Sequence, residues 1–240
     1  MRLKHVAICD RNMFAHRLNP WDLDVAPDEE LPGYEATSAP AYETGTFDEP
    51  FVVLHLRQYD RKIQILRAHG TAATSSYRIT TNSFRLFSKK PDMSILYTSK
   101  EMRQRNIAVV GFDNDGPLPW CPRAHFNYSG EDGEEATYAM ESKNFTDWIV
   151  RLGDRTYGWT VTMRPCALEL REKESRVVIA RFTYSACGTQ AARGAEAGEL
   201  VVFRDALTLE AGGIDKVVCS WLVALTYLKR MGRCYSNAKA

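Results

Sequence analysis

The sequence contains no Cys-x-x-Cys pair, no Gly-x-Ser-x-Gly elbow and no glycine-rich phosphate loop. The six cysteines, Cys9, Cys121, Cys166, Cys187, Cys219 and Cys234, stand apart, so they read as free thiols rather than as a dithiol centre or a four-ligand zinc site. The five histidines are equally dispersed. The usual local signatures of hydrolases, nucleotide-binding enzymes and zinc enzymes are therefore missing, and a non-enzymatic protein with no cofactor and no resident metal is expected. No apolar run reaches the roughly 20 residues that a bilayer-spanning helix needs. The apolar patch near the N-terminus is short and broken by charge, unlike the core of a secretory leader, so a cytosolic protein is expected. Lys and Arg are absent from residues 19–50, which hold nine acidic residues and five prolines.

That acidic stretch has little apolar surface to offset the entropy of ordering, and it reads as a disordered linker following an N-terminal arm or single strand at 1–18. Within it, Leu31, Pro32 and Tyr34 form an L-P-x-Y motif, and Pro40 with Tyr42 repeats it imperfectly. A polyproline II turn presenting Pro and Tyr is the form that WW domains bind, so an adaptor recruiting a WW-domain partner is one function the sequence admits. The formal net charge is only +1, but from residue 51 onward 27 basic residues face 20 acidic ones. The folded body thus leans toward anionic partners.

From residue 51 the texture changes to short β-type runs separated by turn residues. Strands are predicted at 51–56, 62–66, 77–80, 84–87, 94–98, 107–112, 123–128, 136–140, 148–152, 156–163, 167–170, 177–184, 199–203 and 206–209. In the run at 156–163, Tyr157, Trp159, Val161 and Met163 share one face while Thr156, Gly158, Thr160 and Thr162 share the other. Gly153-Asp154 and Asp132-Gly133 mark tight hairpins, and the Gly/Ala-rich segment 188–198 reads as a long mobile loop. The one long helical pattern spans 214–231 and is apolar on nearly every side, with no charge from Val217 to Leu228. Asp215 lies near its start, Lys229 and Arg230 near its last carbonyls, and Gly232 in position to close it.

A barrel of about a dozen strands is too wide for its own side chains to fill, and a helix apolar all round needs contact on every side. The expected architecture is therefore mainly β: a closed antiparallel barrel of about twelve strands, spanning 51–233, wrapped around the C-terminal helix, with a short tail at 234–240. The runs DWIVRLGDRTYGW, LELRE, VVIARF, GELVVF and IDKVVCSWLVALTYLKR, between Asp147 and Arg230, resemble the closing strands and terminal helix of fungal members of the tubby C-terminal-like superfamily, which includes the phospholipid scramblases and the LURP-one-related proteins. That resemblance implies a helix-filled barrel, with membrane-lipid binding as in tubby proteins or lipid translocation as in scramblases. The chain lacks the cysteine-rich segment of the scramblases.

Several local patterns end in bland chemistry. Asp113-Asn114-Asp115-Gly116 begins like a calcium loop, but Pro117 and Pro119 break it into a solvated turn. Glu131, Asp132, Glu134 and Glu135 read as a wet hairpin tip, and Cys121 with His125 lacks a second pair of zinc ligands. The basic excess is the stronger feature. It includes Lys89 and Lys90 at one turn and Arg151, Arg155, Arg164, Arg171, Lys173, Arg176 and Arg181 on the late strands. Among these, Lys89, Lys90, Arg151, Arg155, Arg164 and Arg181 are the candidate contacts to an anionic phospholipid or phosphoinositide, and Trp120 in a proline-rich loop suits a membrane interface. The leading expectation is a non-enzymatic, monomeric lipid-binding module with peripheral membrane attachment and no nucleic-acid partner; the WW adaptor is the alternative, and a small-ligand carrier or enzyme the third.

Overall fold

The computed structural model describes residues 50–60, 62–69, 75–82, 91–113, 121–144, 146–163, 165–231 and 234–238. Twelve strands follow one another: β1 (Pro50–Gln58), β2 (Ile63–Ala68), β3 (Ser76–Thr81), β4 (Met93–Thr98), β5 (Gln104–Asp113), β6 (Arg123–Ser129), β7 (Glu135–Ser142), β8 (Trp148–Leu152), β9 (Arg155–Met163), β10 (Cys166–Glu172), β11 (Val178–Tyr184) and β12 (Ala195–Phe203). A short helix α1 (Ala206–Leu209) and the long helix α2 (Gly213–Arg230) complete the fold. Each strand pairs with its sequence neighbours, and β12 returns to pair antiparallel with β1, so the sheet closes without an edge. Closure removes the unpaired backbone groups that an open sheet would expose.

The expected barrel around a helix is the observed one. Val217, Val218, Cys219, Trp221, Leu222, Val223 and Ala224 are fully buried, and so are the facing residues Leu56, Phe126, Trp159, Leu168 and Phe182. A helix with its side chains is about 10 Å across, which matches an interior that twelve strands leave open. The single polar residue on the innermost turns is accounted for: Ser220 donates to the Val217 carbonyl at 2.9 Å and accepts from Trp159 Nε1 at 3.0 Å. Trp221 meets the Phe182 ring at 4.9 Å. Burying an aromatic side chain on this scale stabilises by about 2–3 kcal/mol each, before conformational entropy is counted.

Three sequence expectations need correction. Residues 206–209 form a helical turn, not a strand, because Asp205 and Thr208 make a capping box: the Asp205 side chain accepts from Leu207 N at 3.1 Å and Thr208 Oγ1 accepts from Asp205 N at 2.8 Å. The Gly/Ala-rich segment at 188–198 is not a loop throughout, since β12 begins at Ala195 and continues across a bulge between its pairs Leu56 with Gly198 and Arg57 with Glu196. Gly198 is required there: a Cβ would lie 2.4 Å from the Thr183 carbonyl oxygen and 2.5 Å from the Phe182 ring. Low apolar content at that strand start reflects close backbone approach rather than solvent. Finally, the inner face predicted for β9 fades toward the rim, for Tyr157 and Trp159 are buried while Met163, the last residue of the strand, is 70% exposed. The N-terminal arm or single strand at 1–18 and the strand predicted at 84–87 lie outside the described residues, as do Trp120, Asn114 to Gly116 and Gly232.

Candidate functional site

Among the described residues, charge is concentrated at three places, the two mouths of the barrel and one stretch of its outer wall. The first is the mouth where α2 begins. The Asp215 carboxylate, nearly buried in the first turn of the helix, accepts from Tyr77 Oη at 2.8 Å and from Arg105 Nη2 at 3.1 Å. Arg105 Nη1 also donates to the Ser129 carbonyl at 2.7 Å, and its guanidinium reaches Glu131 at 3.5 Å. Lys216 pairs with Glu134 at 3.6 Å and sits over the rings of Tyr128 and Tyr138. Burial pushes the Asp215 carboxyl above its ordinary range, against the opposing pull of Tyr77 and Arg105. A cavity of about 290 Å³ lies among these groups. Each cation there has an acidic partner, which fits a latch holding the helix start against β3, β5 and β6.

At the opposite mouth, where α2 ends, the balance differs. Lys229 Nζ donates to Gln58 Oε1 at 2.8 Å, and among the described residues this is the only polar partner of its amine. Burial pulls its pKa down to about 8. An open cavity of about 770 Å³ surrounds it, lined also by Gln64, Thr81, Thr189, Arg193, Thr226 and Arg230. Asp60, the sole acid in that lining, is already engaged by the backbone amides of Lys62 and Ile63 at 2.6 and 2.7 Å.

The third place is the outer wall of β8–β10. Ile149, Gly158 and Arg171 pair in one cross-strand row beside a depression of about 420 Å³, and the Lys173 side chain lies over Gly158, its Cε 3.5 Å from where a Cβ would stand. Lys143, Lys173 and Arg176 rim it, all three exposed and none with a side-chain partner among the described residues. The neighbouring arginines are committed. Glu169, buried on β10, receives Arg171 Nη2 at 2.5 Å and Arg181 Nε at 2.8 Å. Burial pushes the Glu169 carboxyl up, but the hydrogen bonds and charges of the two arginines outweigh it and hold it below its ordinary range.

Of the candidate lipid contacts, Arg151 is exposed on β8, Arg155 pairs with Glu172 at 3.3 Å, and Arg181 is bound to Glu169. The structure does not gather these three into one open cluster. Lys89, Lys90 and Arg164 lie outside the described residues, and so do Leu31, Pro32, Tyr34, Pro40 and Tyr42. Sequence reasoning passed over Lys143, and it assigned Lys229 only to the helix dipole. A glycine among threonines on the solvent face of β9 was the available signal for the groove. For the Lys229 chamber there was none, because Gln58 and Lys229 are 171 positions apart. Among the described residues no group of three or more metal-ligating side chains gathers, and no helix is long and apolar enough to cross a membrane. No protein-family model, curated protein or solved structure matches this chain.

Proposed function

We propose that the protein is a docking module for anionic membrane lipid and that the groove on β8–β10 receives the phosphate-bearing headgroup. The observation that carries this reading is the contrast within one wall: Arg155, Arg171 and Arg181 are occupied by Glu172 and Glu169, while Lys143, Lys173 and Arg176 have no side-chain partner among the described residues, Lys173 lying across Gly158. The paired arginines fix the shape of the wall. The three unpaired cations supply a field to which a phosphate can move without displacing an existing partner. The basic surplus beyond residue 50 works in the same direction, and the tubby-like resemblance of 147–230 agrees with it.

The test is co-sedimentation of the full chain with vesicles containing phosphatidylserine or a phosphoinositide, across a salt series. Basic residues near an anionic surface contribute about 1 kcal/mol each, so changing Lys143, Lys173 and Arg176 together to Gln is expected to weaken binding roughly a hundred-fold and to flatten its salt dependence. Undiminished binding by that triple variant removes the groove from the site. Absence of wild-type binding at low salt removes the lipid reading itself.

A further inference from the structure

We propose that the chamber at the closing end of α2 is a binding site for a small soluble phosphomonoester carried on a hydroxylated body, such as a sugar phosphate, with Lys229 as its central anion contact. This site is separate from the groove on β8–β10 and does not depend on the lipid reading. The chamber, at about 770 Å³, falls within the size range of small-molecule sites. Two cations, Lys229 and Arg193, share its lining with one acid, Asp60, whose carboxylate oxygen Oδ1 is spent on two backbone amides, while the Arg230 guanidinium in the same lining is engaged over the Phe112 ring at 4.0 Å. A cation drawn out of water without a counter-charge is unfavourable, and an anion bound beside it removes that cost. The lowered pKa of Lys229, caused by burial, is the signature of such an unmatched cation.

Two further observations orient the ligand. Gln58 accepts from both Lys229 Nζ and Gln64 Nε2, at 2.8 and 3.3 Å, so the amine is positioned at the chamber wall rather than free to swing into solvent. Arg193 adopts φ 55°, a left-handed conformation uncommon for a non-glycine residue, and it is held there by Arg193 N donating to the Tyr59 carbonyl at 3.0 Å and Gly194 N to the Gln58 carbonyl at 2.8 Å. Keeping an arginine at a position that glycine would occupy more easily indicates that the guanidinium serves something other than the fold. The neutral part of the lining combines amides and hydroxyls, from Gln64, Gln190, Thr81, Thr189 and Thr226, with the apolar surface of Tyr59, Ala191 and Ala192. The amides and hydroxyls can hydrogen-bond the hydroxyls of a sugar, and the Tyr59 ring with the two alanines offers the apolar surface on which its C–H face can rest.

Titration calorimetry of the full chain with inorganic phosphate and with glucose 6-phosphate tests this. Saturable binding is expected, tighter for the sugar phosphate, weakened at least ten-fold by Lys229→Met and several-fold by Arg193→Gly. Because Arg193→Gly relieves a left-handed backbone, that variant is expected to unfold at a higher temperature than wild type while binding more weakly, which separates ligand recognition from folding. Affinity is also expected to fall as pH rises from 7 to 9.5 in the wild type but not in Lys229→Met. The other titratable or charged side chains that line the chamber among the described residues are Tyr59, Asp60, Arg193, Arg230 and Cys234, and they are common to both proteins. Equal binding by wild type and both variants, no binding of either phosphate probe, or perturbation of the Lys229 amine resonance by phosphoinositide vesicles alone would each overturn the proposal.

Discussion

Where α2 begins, Arg105 and Lys216 each face a carboxylate; where it ends, Lys229 faces, among the described residues, only the amide oxygen of Gln58. Both ends put cations against a partly dehydrated barrel rim, yet at the first each has a carboxylate partner and at the second Lys229 has none among the described residues. The difference assigns them different work. A paired rim is complete by itself and fixes the helix, whereas an unpaired rim carries an energetic debt that only something from outside the chain can settle.

The largest expected effect lies at the paired end. A Cβ on Gly213 would come within 1.7 Å of the Leu207 carbonyl oxygen, a backbone atom that cannot swing aside. Gly213→Ala must therefore separate α1 from α2, and a loss of about 3 kcal/mol or more is expected by urea denaturation. Next is Asp215→Ala, which strands Arg105 and the Tyr77 hydroxyl at the rim, with an expected loss of about 2–4 kcal/mol. Its ionisation has a definite sign: with the folded value raised above the ordinary 3.8, the fold loses stability as pH rises from 3.8 through that value. Glu169, lowered by its two arginines, works in reverse and loses its contribution as pH falls from 4.5 through its folded value. Asp215→Asn is expected to remove the first of these dependences and keep the second.

The smallest effect carries the comparison most directly. Lys229→Met is expected to leave stability unchanged or raise it by about 1 kcal/mol at pH 7, because it removes a cation that the rim does not match. In the wild type, the unfolded chain holds the Lys229 proton up to the ordinary 10.5 while the folded protein releases it near 8, so stability rises between those pH values. That rise is expected to vanish in Lys229→Met. If Lys229→Met instead costs as much as Asp215→Ala, the two rims are alike and the distinction fails.

What the sequence disclosed follows from how local each cause was. The α2 stripe from Val217 to Leu228 and the alternation around Tyr157 and Trp159 are short-range patterns, and a helix apolar on all sides demands a surrounding wall. Residues 206–209 misled because Leu207 and Leu209 fit an alternating strand, while the deciding contacts were the hydrogen bonds linking Asp205 with Leu207 and Thr208. Glu169 sits within a run whose neighbours Leu168 and Leu170 face the core, and nothing nearby announces that the acid is buried too, under Arg171 and Arg181. The groove depends on the register that brings Gly158 between Ile149 and Arg171, and the chamber on contacts spanning most of the barrel. Register and closure are long-range facts, and one sequence carries little direct record of them.

Closure by β12 on β1 also sets the order in which this molecule can assemble. His55 on the first strand meets Glu196 on the last, 141 positions later, and the helix that fills the interior follows that strand in the chain. A ribosome adding about 5–20 residues per second exposes the apolar inner faces of the early strands for several seconds before their filling is synthesised. Non-local contacts of this kind slow folding, so the nascent barrel keeps its apolar inner face uncovered until α2 emerges, and a ribosome stalled near residue 205 would present a hollow, adhesive sheet.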